Sequence, residues 1–147
     1  MLNLPLIYKA IGTLLQLEAL LMAVCWGIGM WFHESNHLTF ALPVLVALAV
    51  GTMLRFFGRH AENRMGRRDG FLIVSLTWVA FSVVGMLPFM VGGVQPRVAA
   101  AFFETMSGFT TTGATAFFDI DSLPHSILLW RSMTHWIGGM GIVFFTI

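Results

Sequence analysis

Between Asp69 and Arg97 the chain carries no charged side chain, and no other feature of the sequence constrains its fold as tightly. An α-helix rises about 1.5 Å per residue, so roughly 20 apolar residues cross the ~30 Å hydrocarbon core of a bilayer. Three further segments share this character. One runs from about Ile7 to Phe32, interrupted by Lys9, Gln16 and Glu18. Another runs from Leu38 to Phe57, and a last one from Pro124 through Ile147 with Arg131 in its first turns. The chain is 57% hydrophobic and 10% charged, where a soluble domain carries about 25% charge. It has too few polar groups to cover itself in water, and the sequence predicts an all-α membrane protein. Pro43 and Pro88 are compatible with spanning helices. A formal net charge of +1 provides no field for nucleic acid. Cys25 is the only cysteine, which excludes an intramolecular disulfide and any multi-cysteine metal site; in its apolar run it reads as a small packed hydrophobe. Lys9 ahead of an apolar run imitates a signal peptide, but no small-x-small cleavage site follows cleanly and Glu18 breaks the run, so it reads as a retained first span.

The connections set the topology. His33 to His37 is a short polar turn, which makes residues 1–58 a helical hairpin. Arg55, Arg59, Arg64, Arg67 and Arg68 stand against Glu62 and Asp69. An arginine excess beside two spans places residues 59–69 in the cytoplasm by the positive-inside rule. The N-terminus is then cytoplasmic, and residues 33–37 and 116–123 lie outside. Trp31, Trp130 and Trp136 read as anchors at the membrane interfaces.

Residues 70–147 divide into a span at 70–94, a short helix at 97–109, a Thr/Gly segment at 110–115 and a span at 124–147. Pro96 suits a helix start, and Ser107-Gly108 reads as a stop. Thirteen residues make only about 20 Å of helix, too short to cross. A half-length helix that returns by an extended segment is a re-entrant pore loop, and bare backbone at that depth is tolerated only in protein or along a water-filled path. Potassium filters replace the ion's hydration shell with carbonyl oxygens of such a segment. Gly113 accepts positive φ, and Thr110, Thr111, Thr112 and Thr115 favour extended backbone and brace it through their hydroxyls. Carbonyls of Thr111 and Thr112 are the predicted K+ ligands, with Gly113 and Thr110 completing the ladder. The short helix points its negative end at the cation, and Asp119 and Asp121 draw cations to the outer mouth.

The order of span, short helix, Phe109-Thr-Thr-Thr-Gly-Ala-Thr115 and span resembles the first membrane–pore–membrane repeat of the Trk/Ktr/HKT potassium transporter superfamily. Leu129-Trp-Arg-Ser-Met-Thr-His-Trp-Ile-Gly-Gly-Met-Gly-Ile142 is similar to that family's signature after the first filter. The added hairpin, Ile7 to Phe57, resembles the TrkH/TrkG type. The resemblance implies a bacterial inner-membrane protein that takes up K+, with Na+ as a second transported ion, no organic cofactor and no enzymatic activity. It also implies four such repeats in one polypeptide, so that this chain is incomplete, together with a homodimer and a cytoplasmic nucleotide-binding regulatory subunit.

Other residues admit two readings. Glu104, at membrane depth, braces the Thr loop by hydrogen bonds or contacts the ion itself. Glu18 faces a protein interface or a wet crevice, or relays protons. Arg131 snorkels or pairs with Asp119, Asp121 or Glu104. His135 is a hydrogen-bonded packing residue or a metal ligand. Gly138, Gly139 and Gly141 permit close approach of helices or filter. Two alternatives to a pore follow from these groups: a proton- or sodium-coupled carrier using Glu18, Glu104 and His135, and an intramembrane hydrolase using Ser107 and His135. The hydrolase lacks a Gly-x-Ser-x-Gly turn around Ser107.

Overall fold

A computed structural model of the chain describes residues 3–61 and 66–146, all of their regular structure helical. The helices are α1 (Leu4–Trp31), α2 (Leu38–Phe57), α3 (Arg67–Gly85), α4 (Leu87–Val91), α5 (Val98–Phe109) and α6 (His125–Thr146). Three stretches are long and apolar enough to cross a membrane: Leu4–Trp31, Leu38–Phe57 and Arg68–Val91. α6 has 22 residues. Glu62 and Arg64 of the arginine-rich segment lie outside the described residues.

α1 and α2 pack as an antiparallel pair whose backbones nearly touch. A Cβ added to Gly12 would lie 2.6 Å from Gly51 O, and one added to Gly51 would lie 2.9 Å from Gly12 O. With no hydrophobic force between helices in lipid, small residues that allow such approach supply the dispersion contacts that hold them together. Arg55 lies in the same seam and donates to Gln16 Oε1 at 2.7 Å. Pro43 sits inside α2 without ending it.

The span expected at 70–94 begins earlier and is broken. α3 stops at Gly85, and the chain restarts as α4 with Pro88 at its second position. Proline has no N–H for the helical ladder and clashes with the carbonyl four residues back. Past the break Phe89 N donates to Met86 O at 3.1 Å, and Gly85 O, which it would otherwise meet, is taken by Trp130 Nε1 at 2.9 Å. Trp130 is therefore a fully buried bracket between α6 and the break in α3 and not an interfacial anchor, whereas Trp31 and Trp136 are exposed.

The centre of the bundle is an aromatic cluster around Phe109, the last residue of α5. Its ring lies 5.3 Å from Phe81, 6.2 Å from Trp78 and 6.5 Å from Trp130. Aromatic pairs of this kind are worth about 0.5–1.5 kcal/mol each, so this side chain fixes the inner end of the short helix to α3 and α6. The polar turn is fixed as well. Glu34 accepts from Ser126 N at 3.1 Å and from Ser126 Oγ, so the hairpin's carboxylate caps the start of α6. Phe32 stacks on His125 at 4.3 Å. Glu18 is only 1% exposed, with both carboxylate oxygens unpartnered among the described residues. It lies in the bundle interior against α3, its Oε1 2.9 Å from where a Cβ on Gly85 would be.

Candidate functional site

α5 has 12 residues, about 18 Å of helix at 1.5 Å per residue. It does not end at Gly108. That glycine is there for space: an added Cβ would collide with Thr134 Oγ1 and lie 2.9 Å from Thr134 Cβ. The helix closes one residue later in a Schellman motif. Thr111 N donates to Gly108 O and Thr112 N to Ser107 O, both at 2.9 Å, with Thr111 at φ 56°. Glycine is usual at that left-handed position; a residue with a Cβ costs roughly 1–2 kcal/mol there. Thr110 is at φ −84°, ψ 1°. Thr110 and Thr111 are thus not extended, as their β-branching suggested; the demand of the helix end for paired N–H groups overrides that preference. Gly113 has positive φ, 78°.

The chain then doubles back along α5. Ser107 Oγ donates to Ala114 O at 2.6 Å. Glu104 accepts from Thr115 Oγ1 at 3.0 Å and from Ala116 N at 2.7 Å. Gln95 Nε2 reaches Ala116 O at 3.4 Å, and Phe117 packs edge-on to Phe89 at 5.5 Å. The return strand is therefore tied at successive levels by side chains of the helix before it. Arg131 Nε donates to the other oxygen of Glu104 at 2.7 Å. Of the three partners the sequence allowed, Arg131 takes Glu104, which is 1% exposed. A buried carboxylate of this kind persists only when paired and fully hydrogen-bonded, and here it joins α5, the return strand and α6.

α6 clamps the same corner. A Cβ on Gly138 would meet Phe109 O, lie 2.7 Å from Phe109 C and 2.9 Å from Gly108 O. Gly139 faces Thr111, whose Cγ2 would be 4.0 Å from an added Cβ. His135 Nδ1 bonds Arg131 O at 3.0 Å, and Ser107 is committed to Ala114. The hydrolase reading required those two to face each other, and neither bonds the other. Asp119 Oδ1 accepts from Asp121 N at 3.2 Å, a turn of its own on the exposed connection.

What remains open is the backbone between these ties. Residues 110–115 are exposed. Among the described residues the carbonyl oxygens of Thr110, Thr111, Thr112 and Gly113 accept no hydrogen bond. The Thr110 hydroxyl is turned inward to Met106 O at 2.7 Å and meets Thr112 Oγ1 at 2.8 Å. The four residues singled out from the sequence thus form one short arc of free carbonyls. The sequence reading missed Ser107 as a brace and Thr134 as a seat for Gly108. A hydroxyl seven residues before a partner carbonyl leaves no periodic signal.

The family model described as TrkH, cation transport protein, matches residues 36–147. The chain belongs to this family. The Trk system potassium uptake protein TrkH of Escherichia coli K12 is 39% identical over 138 residues, 93% of this chain and 29% of that protein. TrkG of the same organism is 30% identical over 133 residues, 90% of this chain and 27% of that protein. The crystal structure of the potassium transporter TrkH from Vibrio parahaemolyticus superposes with a TM-score of 0.87 at 36% identity, covering 93% of this chain and 30% of that one. The chain thus spans about 30% of the length of the relatives it matches. Both clusters described above, Glu104 with Arg131 and Gly138 with Phe109, lie within the region matched by the family model.

Proposed function

We propose that residues 98–116 form a re-entrant pore loop of a potassium-uptake pathway, and that the carbonyl oxygens of Thr110, Thr111, Thr112 and Gly113 take the place of the hydration shell of K+. The observation that carries this reading is the arc of unpartnered carbonyls on an exposed segment where the N–H groups of Thr110, Thr111 and Thr112 and the Thr110 hydroxyl are bound from behind. Such an arrangement offers oxygen to a cation and occupies most of the segment's own hydrogen-bond donors, as suits a carbonyl filter. α5 ends at the arc, so its negative end favours a cation there. Family membership supports the same reading, since the relatives compared above carry potassium uptake in their names.

One loop contributes one side of a carbonyl ring, and three similar loops complete it. Na+ competes for the same oxygens. The arginine-rich segment and the N-terminus lie in the cytoplasm of a bacterium, with the 33–37 turn and residues 116–123 outside the inner membrane. A homodimer and a cytoplasmic nucleotide-binding regulatory subunit complete the assembly. The test is Gly113→Ser in a polypeptide of the relatives' length. A Cβ at Gly113 meets no described atom within 4 Å, so the variant folds, and the cost is that of a left-handed residue, roughly 1–2 kcal/mol. Preference for rubidium over sodium then falls about tenfold. Unchanged selectivity at normal expression would remove the arc from the ion path.

A further inference from the structure

The end of the bundle opposite the Glu34 cap gathers cations that the filter does not use. The sequence places Lys9, Arg55, Arg59, Arg64, Arg67 and Arg68 there against Glu62 and Asp69. Asp69 is 4% exposed, and its oxygens accept from Asn3 N and Gly66 N, both at 3.0 Å. It holds the starts of α1 and α3 together. Among the described residues neither Lys9, Arg55, Arg59 nor Arg68 pairs with a carboxylate. Glu62 is the one other acid in this part of the sequence, so the cations are in excess whatever it contacts.

Their placement is specific. α1 and α2 meet at Gly58, where an added Cβ would lie 2.6 Å from Lys9 N and 2.8 Å from Lys9 Cβ. That contact brings Lys9 beside the last turn of α2, whose cation is Arg55. Arg59 follows one helical turn later and lies over the Phe56 ring, 4.5 Å from its centroid. Arg55 spends one N–H on Gln16, leaving most of its guanidinium donors free. Phe56 and Phe57 are 61% and 62% exposed, and Phe71, in the first turns of α3, is 81% exposed. Exposed aromatics and cations at one depth are what the boundary between headgroups and acyl chains accommodates. A water-soluble acidic partner would satisfy the arginines and leave the phenylalanines facing water.

We infer that this end of the α1–α2 seam is a binding site for an anionic phospholipid, its phosphate held by Lys9, Arg55 and Arg59 and its upper acyl chain lying against Phe56 and Phe57. Guanidinium groups match phosphate in fork geometry, and basic pockets between spanning helices bind such headgroups. The inference rests on the chain spanning a membrane and not on the filter assignment, so ion flux plays no part in its test.

The test is native mass spectrometry of the purified chain in maltoside micelles with phosphatidylglycerol or phosphatidylcholine added at equal mole fraction. Phosphatidylglycerol is retained in preference. Arg59→Gln, at an exposed position beyond the end of α2, weakens that retention about fivefold. The Lys9→Gln, Arg55→Gln, Arg59→Gln triple variant loses the preference, with helix content checked by circular dichroism. Arg97→Gln, at the start of α5, leaves it unchanged. If Arg55 proves necessary for folding, the Arg59 variant alone decides. Equal retention of the two lipids, or a preference undiminished by Arg59→Gln, would overturn the site. So would binding of polyglutamate that phosphatidylglycerol does not displace, which would give the cluster to an acidic protein.

Discussion

Gly138 and Gly139 are neighbours on α6, and the structure gives them opposite responses to the same substitution. An alanine at 138 drives its Cβ into Phe109 O and to 2.7 Å from Phe109 C and 2.9 Å from Gly108 O. These are backbone atoms of a helix end, and no rotamer change relieves them. Either α6 withdraws or the corner carrying Thr110 and Thr111 moves. Overpacking of this kind costs about 1–3 kcal/mol, against a gain of roughly 0.5–1 kcal/mol from replacing a helical glycine by alanine. At Gly139 the closest described atom is Thr111 Cγ2 at 4.0 Å, ordinary van der Waals contact, so only the gain remains. Gly138→Ala therefore lowers the thermal midpoint of the purified chain by a few degrees, and Gly139→Ala leaves it unchanged or raises it, at about 2–4 °C per kcal/mol for a chain of this size. Trp130 and Trp136 on α6 provide the fluorescence readout. In a transport-competent polypeptide Gly138→Ala also alters cation selectivity while Gly139→Ala does not. Equal shifts in the two variants would refute the argument that α6 touches the carbonyl corner at Gly138.

Glu104→Gln keeps the bonds to Thr115 and Ala116 but strands Arg131, and breaking one side of a buried pair costs about 3–5 kcal/mol; chemical denaturation should show Glu104→Gln/Arg131→Met less destabilised than the two singles combined, and additive effects would show that the two do not act as a pair. Thr111→Gly should raise the denaturation midpoint, because it relieves a left-handed threonine worth roughly 1–2 kcal/mol; a lower midpoint would mean that the Thr111 side chain contributes more than its backbone costs. The chain alone, reconstituted in vesicles, takes up no rubidium, since one loop cannot surround an ion; uptake would mean that it self-assembles. Cysteines introduced at His60 and Asp121, with native Cys25 buried, label from opposite sides of the membrane in cells, and labelling of position 60 from outside would invert the topology.

The sequence was most legible where physics is local. Leu38–Phe57 follows from an apolar run closed by a polar turn on one side and arginines on the other. The start of α5 follows from Pro96, which only a helix start or a loop would hold. Legibility failed where distant atoms decide. Gly108 looked like a stop because glycine commonly ends helices, but its reason is Thr134, on another helix. Trp130 looked like an anchor because tryptophan favours interfaces, but a carbonyl freed ahead of Pro88 draws its N–H inside. Thr111 gave no hint of a left-handed backbone, because the residue expected there is glycine. Glu104 and Arg131 were each recognisable as buried charges in need of partners, yet the choice among three acids required the fold.

The closing turn of α5 also makes helix and carbonyl arc a single mechanical part. Ser107 and Gly108 supply the acceptors that hold Thr111 and Thr112, so the arc has no hinge between α5 and Thr112. Deleting one residue from the middle of α5 would turn the arc by about 100° around the helix axis and draw it in by about 1.5 Å. The length of this helix is thus a phase setting: its face toward α3 and α6 and the aim of its carbonyls cannot be adjusted separately. Substitutions can tune the arc, whereas insertions and deletions inside α5 can only misdirect it.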